Sequence, residues 1–157
     1  MNEDKITEQF RQGLQEKMLD IAAPASRRIF VKVGPEDLLA ACGILRKDLG
    51  FTHLSTISGL DAGTGFEMLY HFADADACVT LRVMLPRECP EVETITPVFP
   101  GAILYERELQ DLLGIVVKNI PDPRPLVLPD DWPAGNYPLR KDWTFTRPEE
   151  KIPGEKK

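Results

Sequence analysis

Proline placement limits what this chain can fold into more than any other feature. Eight of its fourteen prolines, at positions 121, 123, 125, 129, 133, 138, 148 and 153, follow Val117. Each removes a backbone donor and restricts the residue before it to extended conformations, so residues 118–157 have almost no route to regular structure. Yet Leu126, Val127, Leu128, Trp132, Tyr137, Leu139, Trp143 and Phe145 are interleaved with these prolines, which is too apolar and aromatic for an ordinary disordered tail. The segment reads as an extended C-terminal tail that lies on a surface, and residues 1–117 read as the folded body that precedes it.

The body alternates periodicities. Ile6, Phe10, Leu14 and Met18 fall on one helical stripe. Arg28 to Val33 alternates like a strand, and Gly34-Pro35-Glu36-Asp37 opens a helix that Arg46-Lys47 and Gly50 close. Leu38, Leu39, Cys42, Leu45 and Leu49 form its expected buried face. Phe51–Leu60, Phe66–Ala73 and Ala77–Leu85 read as three further strands joined by the turn sequences Asp61-Ala62-Gly63-Thr64-Gly65 and Asp74-Ala75-Asp76. The expected fold is α+β: a two-layer sandwich of a mostly antiparallel four-stranded sheet with helices on one face.

A last helix is expected over 102–113. At about 100° per residue, Leu104, Tyr105, Leu109, Leu112 and Leu113 share one half-circle, and Glu106, Arg107, Gln110 and Asp111 share the other. Glu108 breaks the pattern by projecting between Leu104 and Leu112, so it is expected to be a buried carboxylate in need of a partner. Glu106 is expected to be solvated. Arg107 and Asp111 have i,i+4 spacing, worth a few tenths of a kcal/mol as an ion pair.

Composition excludes several chemistries. Residues 1–117 carry 11 basic and 18 acidic side chains, net -7, and 118–157 carry 8 and 7, net +1. An acidic body argues against nucleic acid and against an anionic lipid surface. No apolar run approaches the ~18 residues of a membrane span, and the N-terminus shows no signal-peptide core. Cys42, Cys78 and Cys89 are scattered, with no C-x-x-C spacing, and Cys42 and Cys78 read as small core residues. His53 and His71, both on expected strands, are too few for a metal site. Gly59-x-x-x-Gly63-x-Gly65 joins two strands without a following helix, which makes it a turn and not a phosphate loop. Neither Ser55 nor Ser58 sits in a nucleophile elbow.

The final third carries one long ordered string: Glu106-Arg107-Glu108-x-x-Asp111-Leu112-Leu113-Gly114-Ile115, Pro121-Asp122-x-Arg124, Leu128-Pro129-Asp130-Asp131-Trp132 and Pro138-Leu139-Arg140-Lys141-Asp142. It resembles the signature of the 30 kDa subunit of respiratory complex I, the NADH-quinone oxidoreductase, in a family that includes the equivalent subunit of membrane-bound, energy-converting nickel-iron hydrogenases. Ile120, Pro123, Pro125 and Trp143 depart from the complex I pattern, where histidine, leucine, arginine and tyrosine are common, and they lean toward the hydrogenase-like branch. The resemblance implies a non-catalytic assembly subunit with no cofactor of its own. Iron-sulfur clusters, and in the hydrogenases a nickel-iron site, would be held by partners: the catalytic large subunit (49 kDa-like, or the hydrogenase large subunit) and the small iron-sulfur subunit. It further implies a peripheral position on the cytoplasmic side of the membrane, with membrane contact only through the complex. Partner contacts would fall at Glu106, Arg107, Glu108, Asp111, Arg124, Asp130, Asp131, Trp132, Arg140, Lys141 and Asp142, with Glu108 and Arg107 as a buried anchor.

Two other readings compete on the residues themselves. An acid-base enzyme using Glu106 and Glu108 suffers because these side chains point about 160° apart on the helix. A free-standing adaptor binding partners through its Pro-rich tail lacks a clean P-x-x-P repeat with basic flanks.

Overall fold

The computed structural model describes residues 3–144. Helix α1 (Glu3–Leu14) buries Ile6, Phe10 and Leu14, three members of the expected stripe. The fourth, Met18, instead begins strand β1 (Met18–Ala25). This strand is not expected from the sequence: its burial does not alternate, it carries Asp20 and Pro24, and its pairing with the next strand is interrupted by two irregularities. Such features belong to a largely exposed edge strand, of which only Met18 and Ile21 pack against the core.

Strands β2 (Arg28–Val33), β3 (His53–Asp61), β4 (Gly65–Ala73) and β5 (Cys78–Pro86) follow the expected pattern closely. The sheet has five strands, not four, in the order β1-β2-β5-β4-β3. Only the β2–β5 pair is parallel; the other pairs are antiparallel. The crossover from β2 passes through a 3-10 turn (Pro35–Asp37), helix α2 (Leu38–Gly43) and a π-helical turn (Ile44–Asp48). Leu38, Cys42, Leu45 and Leu49 are buried as expected, joined by Ala41 and Ile44, whereas Leu39 is only half-buried.

Alternation gives the sheet two unlike faces. Ile29, Val31, Val33, Phe66, Met68, Tyr70, Phe72, Val79, Leu81 and Val83 join one buried cluster with the apolar stripes of α1, α2 and a third helix, α3 (Ala102–Leu113). The core therefore lies between one sheet face and the helices. Cys78 falls on the opposite face beside Thr80 and Arg82 and is exposed, against the expectation of a core residue; Cys42 is buried. Gly59 lies under α3, where an added Cβ would meet the Leu109 and Leu113 side chains at 2.5–2.6 Å. That glycine packs the helix against β3.

A small parallel pair, β6 (Glu91–Glu93) and β7 (Val116–Lys118), flanks α3. At three residues each, these strands are too short to be read from periodicity. Beyond Lys118 the described residues contain turns and bends but neither helix nor strand. Phe145, Pro148 and Pro153 lie outside the described residues.

Candidate functional site

The residues of the ordered string converge on α3, and the helix phase decides their roles. Its buried stripe is Ala102, Glu106, Leu109 and Leu113, about 65° round the helix from the centre of the expected stripe of Leu104, Tyr105, Leu109, Leu112 and Leu113. Leu104 is 53% exposed. The expected assignments of the two glutamates are thereby reversed: Glu106 is 1% exposed, and Glu108 lies on the solvent side. The apolar residues alone misplaced the stripe, because one of its four positions is filled by a carboxylate.

Glu106 is satisfied within the chain. Its carboxylate accepts from Thr94 Oγ1 at 2.6 Å and from the Ile95 backbone N–H at 2.8 Å. Thr94 Oγ1 lies 2.9 Å from Thr96 Oγ1. The side chain thus pins the loop after β6 to the middle of α3. Burial pushes its pKa above the ordinary carboxylate value, and the Thr94 and Ile95 hydrogen bonds oppose that shift. Burial also raises the Tyr70 hydroxyl and the Cys42 thiol, and the Glu106 charge raises both further.

Arg107 and Asp111 do not form the expected i,i+4 pair. They point outward and hold the proline-rich segment, which crosses α3 as a strap. Arg107 donates to the carbonyls of Arg124 at 2.7 Å and Pro125 at 3.0 Å and lies 3.3 Å from Asp122. Asp111 Oδ2 accepts from three successive backbone N–H groups, Leu126, Val127 and Leu128, at 2.7, 2.8 and 3.3 Å. These charge-assisted bonds supply what the proline backbone lacks: partners for N–H and C=O groups outside any helix or sheet. Arg124 itself folds onto Asp122, whose carboxyl it holds below the usual range.

The strap's second anchor is the C-terminus of α3. Gly114 takes the left-handed conformation that ends the helix, φ +68°. It also leaves room for the strap, since a Cβ there would lie about 2.5 Å from the Tyr137 ring and the Arg140 guanidinium. Arg140 donates to the carbonyl of Leu113 at 2.7 Å, and Leu139 N–H donates to that of Leu112 at 3.0 Å. A cation near the last carbonyls also suits the helix dipole. The same guanidinium stacks between the rings of Phe66 and Tyr137, 5.0 and 4.3 Å from their centroids.

Asp61, at the tip of the β3–β4 hairpin, closes the latch. It accepts from Lys141 N–H at 2.9 Å, Arg87 at 2.8 Å and Gly63 N–H at 2.8 Å, and these partners hold its pKa down to about 2. Arg87 reaches on to Asp142 at 2.7 Å. In the sequence Asp61 reads only as a turn residue; its bond to a residue 80 positions away leaves no local trace. Trp132 donates to Asn136 C=O at 2.8 Å and packs on Trp143 at 6.2 Å, while Asp130 and Asp131 are exposed.

Of the predicted contact residues, Arg107, Asp111, Arg140, Lys141 and Asp142 therefore build the strap, and Glu106 builds the core beneath it. Among the described residues, no group of three or more His, Cys, Asp or Glu side chains is arranged to hold a metal ion, and no helix is long and apolar enough to cross a membrane.

Residues 31–149, which contain α3, the strap, strands β3, β4 and β5 and the end of β2, match the family described as respiratory-chain NADH dehydrogenase, 30 kDa subunit. The chain belongs to this family. One relative in it is an F(420)H(2) dehydrogenase subunit from Methanosarcina mazei, 38% identical over 144 residues, covering 89% of this chain and 88% of that protein. The fold is similar to a chain of the membrane-bound sulfane sulfur reductase, an archaeal respiratory membrane complex, with TM-score 0.78 at 21% identity over 90% of this chain and 85% of that one. It is also similar to the trypsin-resistant fragment (1–134) of Nqo5, with TM-score 0.64 at 26% identity over 78% of this chain and 99% of the fragment. Relatives are thus named as subunits of an F(420)H(2) dehydrogenase and of NADH-quinone oxidoreductases. Three residues of the ordered string, Arg107, Asp111 and Arg140, are the side chains that fasten the strap to α3.

Proposed function

We propose that this chain is a non-catalytic assembly subunit of a complex I-type, ion-translocating membrane redox complex. It docks on the catalytic large subunit and the small iron-sulfur subunit through the strap and the outward side of α3. In this reading residues 1–117 are the body, the segment from 118 onward is the docking element, and the electron carriers belong to the partners. The subunit sits peripherally, on the cytoplasmic side of the membrane.

One observation carries the reading. The strap's polar backbone faces inward onto Arg107, Asp111 and Asp61, whereas Leu126, Val127 and Leu139 remain 43–56% exposed on it, and Leu104 of α3 is 53% exposed. A backbone held this firmly in order to display apolar side chains suits a rigid interface better than a solvated surface. Holding by α3 also removes the carbonyl groups of 124 and 125 from those that a proline-recognising domain would use, which disfavours the adaptor reading.

The test places a photo-cross-linking residue at Leu126 in the chain within its purified complex. Cross-links to the large subunit are expected. Cross-links to no other subunit, in a complex that still contains this chain, would refute docking through the strap.

A further inference from the structure

The helices cover one face of the sheet, and no described element covers the other. Across that second face the register sets side chains in rows: Ala22, Phe30, Thr80 and His71; then Asp20, Lys32, Arg82 and Leu69; then Met84, Glu67 and Leu60. A cleft of about 300 Å³ opens among Asp20, Ala22, Pro24, Phe30, Lys32 and Arg82. Ala22, Pro24 and Phe30 give it an apolar part, and Asp20, Lys32 and Arg82 a charged one.

Charge on this face departs from that of the whole molecule. The chain carries a net charge of -6, but Arg28, Lys32 and Arg82 here outnumber Asp20 and Glu67. Lys32 and Arg82 are register partners on adjacent strands, where like charges repel, and of the two only Arg82 has an anion paired with it among the described residues. Glu67 serves Arg82, at 2.7 Å, so its charge is already engaged. Asp20 is aligned with Lys32, and no ion pair joins them among the described residues. The half-buried Phe30, Leu69 and Met84 add apolar surface beside the cations.

We propose that this cleft is a second docking site, which receives an acidic segment of a partner subunit: an apolar side chain seats against Ala22, Pro24 and Phe30, and a neighbouring carboxylate pairs with Lys32. The inference rests on the assembly-subunit reading above but uses the opposite side of the domain. It makes the chain a spacer clasped on two sides, by α3 and the strap on one and by the open sheet face on the other.

The test uses the intact complex with the photo-cross-linker p-benzoylphenylalanine at Ala22, and in parallel at Leu126. Identification of the cross-linked peptide by mass spectrometry should give, for the Ala22 probe, a segment from a different subunit with Asp or Glu next to an apolar residue. A cross-link to residues 145–157 of the same chain, to a second copy, or to a segment without acidic residues overturns the proposal, as does no cross-link at all. Cross-linking at Leu126 without cross-linking at Ala22 defeats this inference alone; failure at both positions defeats the docking reading as well. Independently, Lys32→Glu should reduce recovery of the complex about tenfold, whereas Lys32→Arg should retain it, because like charges across an interface are strongly unfavourable. Melting of the isolated Lys32→Glu chain controls for folding. Recovery equal to wild type for Lys32→Glu would overturn the pairing with a carboxylate.

Discussion

The buried position of Glu106 gives the sharpest quantitative prediction. Glu106→Ala leaves the Ile95 amide, now bonded at 2.8 Å, without an acceptor in a buried site. An orphaned buried donor costs about 1–3 kcal/mol, and the vacated side-chain volume adds roughly 1 kcal/mol more. Two effects offset part of this. Thr94 keeps its contact with Thr96, and the desolvation that raises the Glu106 pKa disappears with the carboxylate. The expected net loss is about 2–3 kcal/mol, or a drop in Tm of about 4–12 °C for a domain of this size. Glu108→Ala removes a solvent-facing side chain and should stay within about 0.5 kcal/mol of wild type. The assay is thermal and urea unfolding of the isolated subunit. A third variant separates charge from shape. Glu106→Gln retains an acceptor for Ile95 and offers a donor to Thr94, so it should fold. Because the folded pKa of Glu106 is raised, its contribution to stability is fully present below the usual carboxylate range and is lost as pH rises through the shifted value; Glu106→Gln should show no such loss. Equal destabilisation by Glu106→Ala and Glu108→Ala, or a pH profile shared by wild type and Glu106→Gln, would refute the placement of this carboxylate.

The strap yields three further expectations. Asp111→Asn weakens the acceptor for three N–H groups, so amide exchange at Leu126, Val127 and Leu128 should accelerate about tenfold or more while exchange in the sheet is unchanged; uniform protection would show that Asp111 does not hold the strap. Gly114→Ala forces a side chain into the left-handed conformation against Tyr137 and Arg140, and should cost at least about 1–2 kcal/mol in urea unfolding; a neutral result would mean that the strap does not pack there. Asp61 has a depressed folded pKa, so its hold on Lys141 is fully present above the unfolded carboxylate pKa and is lost as pH falls toward about 2. The chain's two tryptophans, Trp132 and Trp143, both lie in the strap. Their fluorescence should therefore change in that window if the latch opens, and a flat signal from about pH 5 to about 2 would count against it.

Much of the fold was legible because it rests on periodicity. β2, β4 and β5 bury alternate residues against the helices, and a one-residue error would have exposed Val31, Met68 or Leu81. β1 was not legible, since a largely exposed edge strand has no apolar face to show. The phase of α3 was misread for a specific reason: a buried stripe whose second member is Glu106 looks, to an apolar count, like a polar side. Only the Thr94 and Ile95 donors, which come from a loop with no periodic signal, make that carboxylate tolerable in the core. The latch at Asp61 was invisible for a different reason. Its local sequence explains the bond to Gly63 completely, and nothing nearby hints at Lys141 or Arg87.

The partners that these carboxylates find inside the chain bear on what the ordered string of charges and prolines encodes. Residue by residue, a charged helix followed by prolines suggests exposed contacts awaiting a partner. In three dimensions most of those charges already have partners inside the chain, and the inward-facing ones are what the proline-rich backbone requires in place of a helix or sheet. Arg107, Asp111, Arg140 and Asp61 supply nine side-chain-to-backbone hydrogen bonds to the strap, the α3 C-terminus and the β3–β4 turn. An extended segment anchored in this way loses little conformational entropy when a second protein binds it, because the ordering has occurred during folding. Arg107, Asp111 and Arg140 then serve the preorganisation of the surface more than its contacts. Substitutions at Arg107 or Asp111 should weaken assembly by loosening the strap, whereas substitutions at Leu126 or Val127 should weaken assembly while leaving the isolated protein's exchange pattern intact. Measuring both assembly and exchange for Asp111→Asn and Val127→Ser separates the two roles. If Val127→Ser altered exchange at residues 126–128 as strongly as Asp111→Asn, the division between holding and contacting residues would fail.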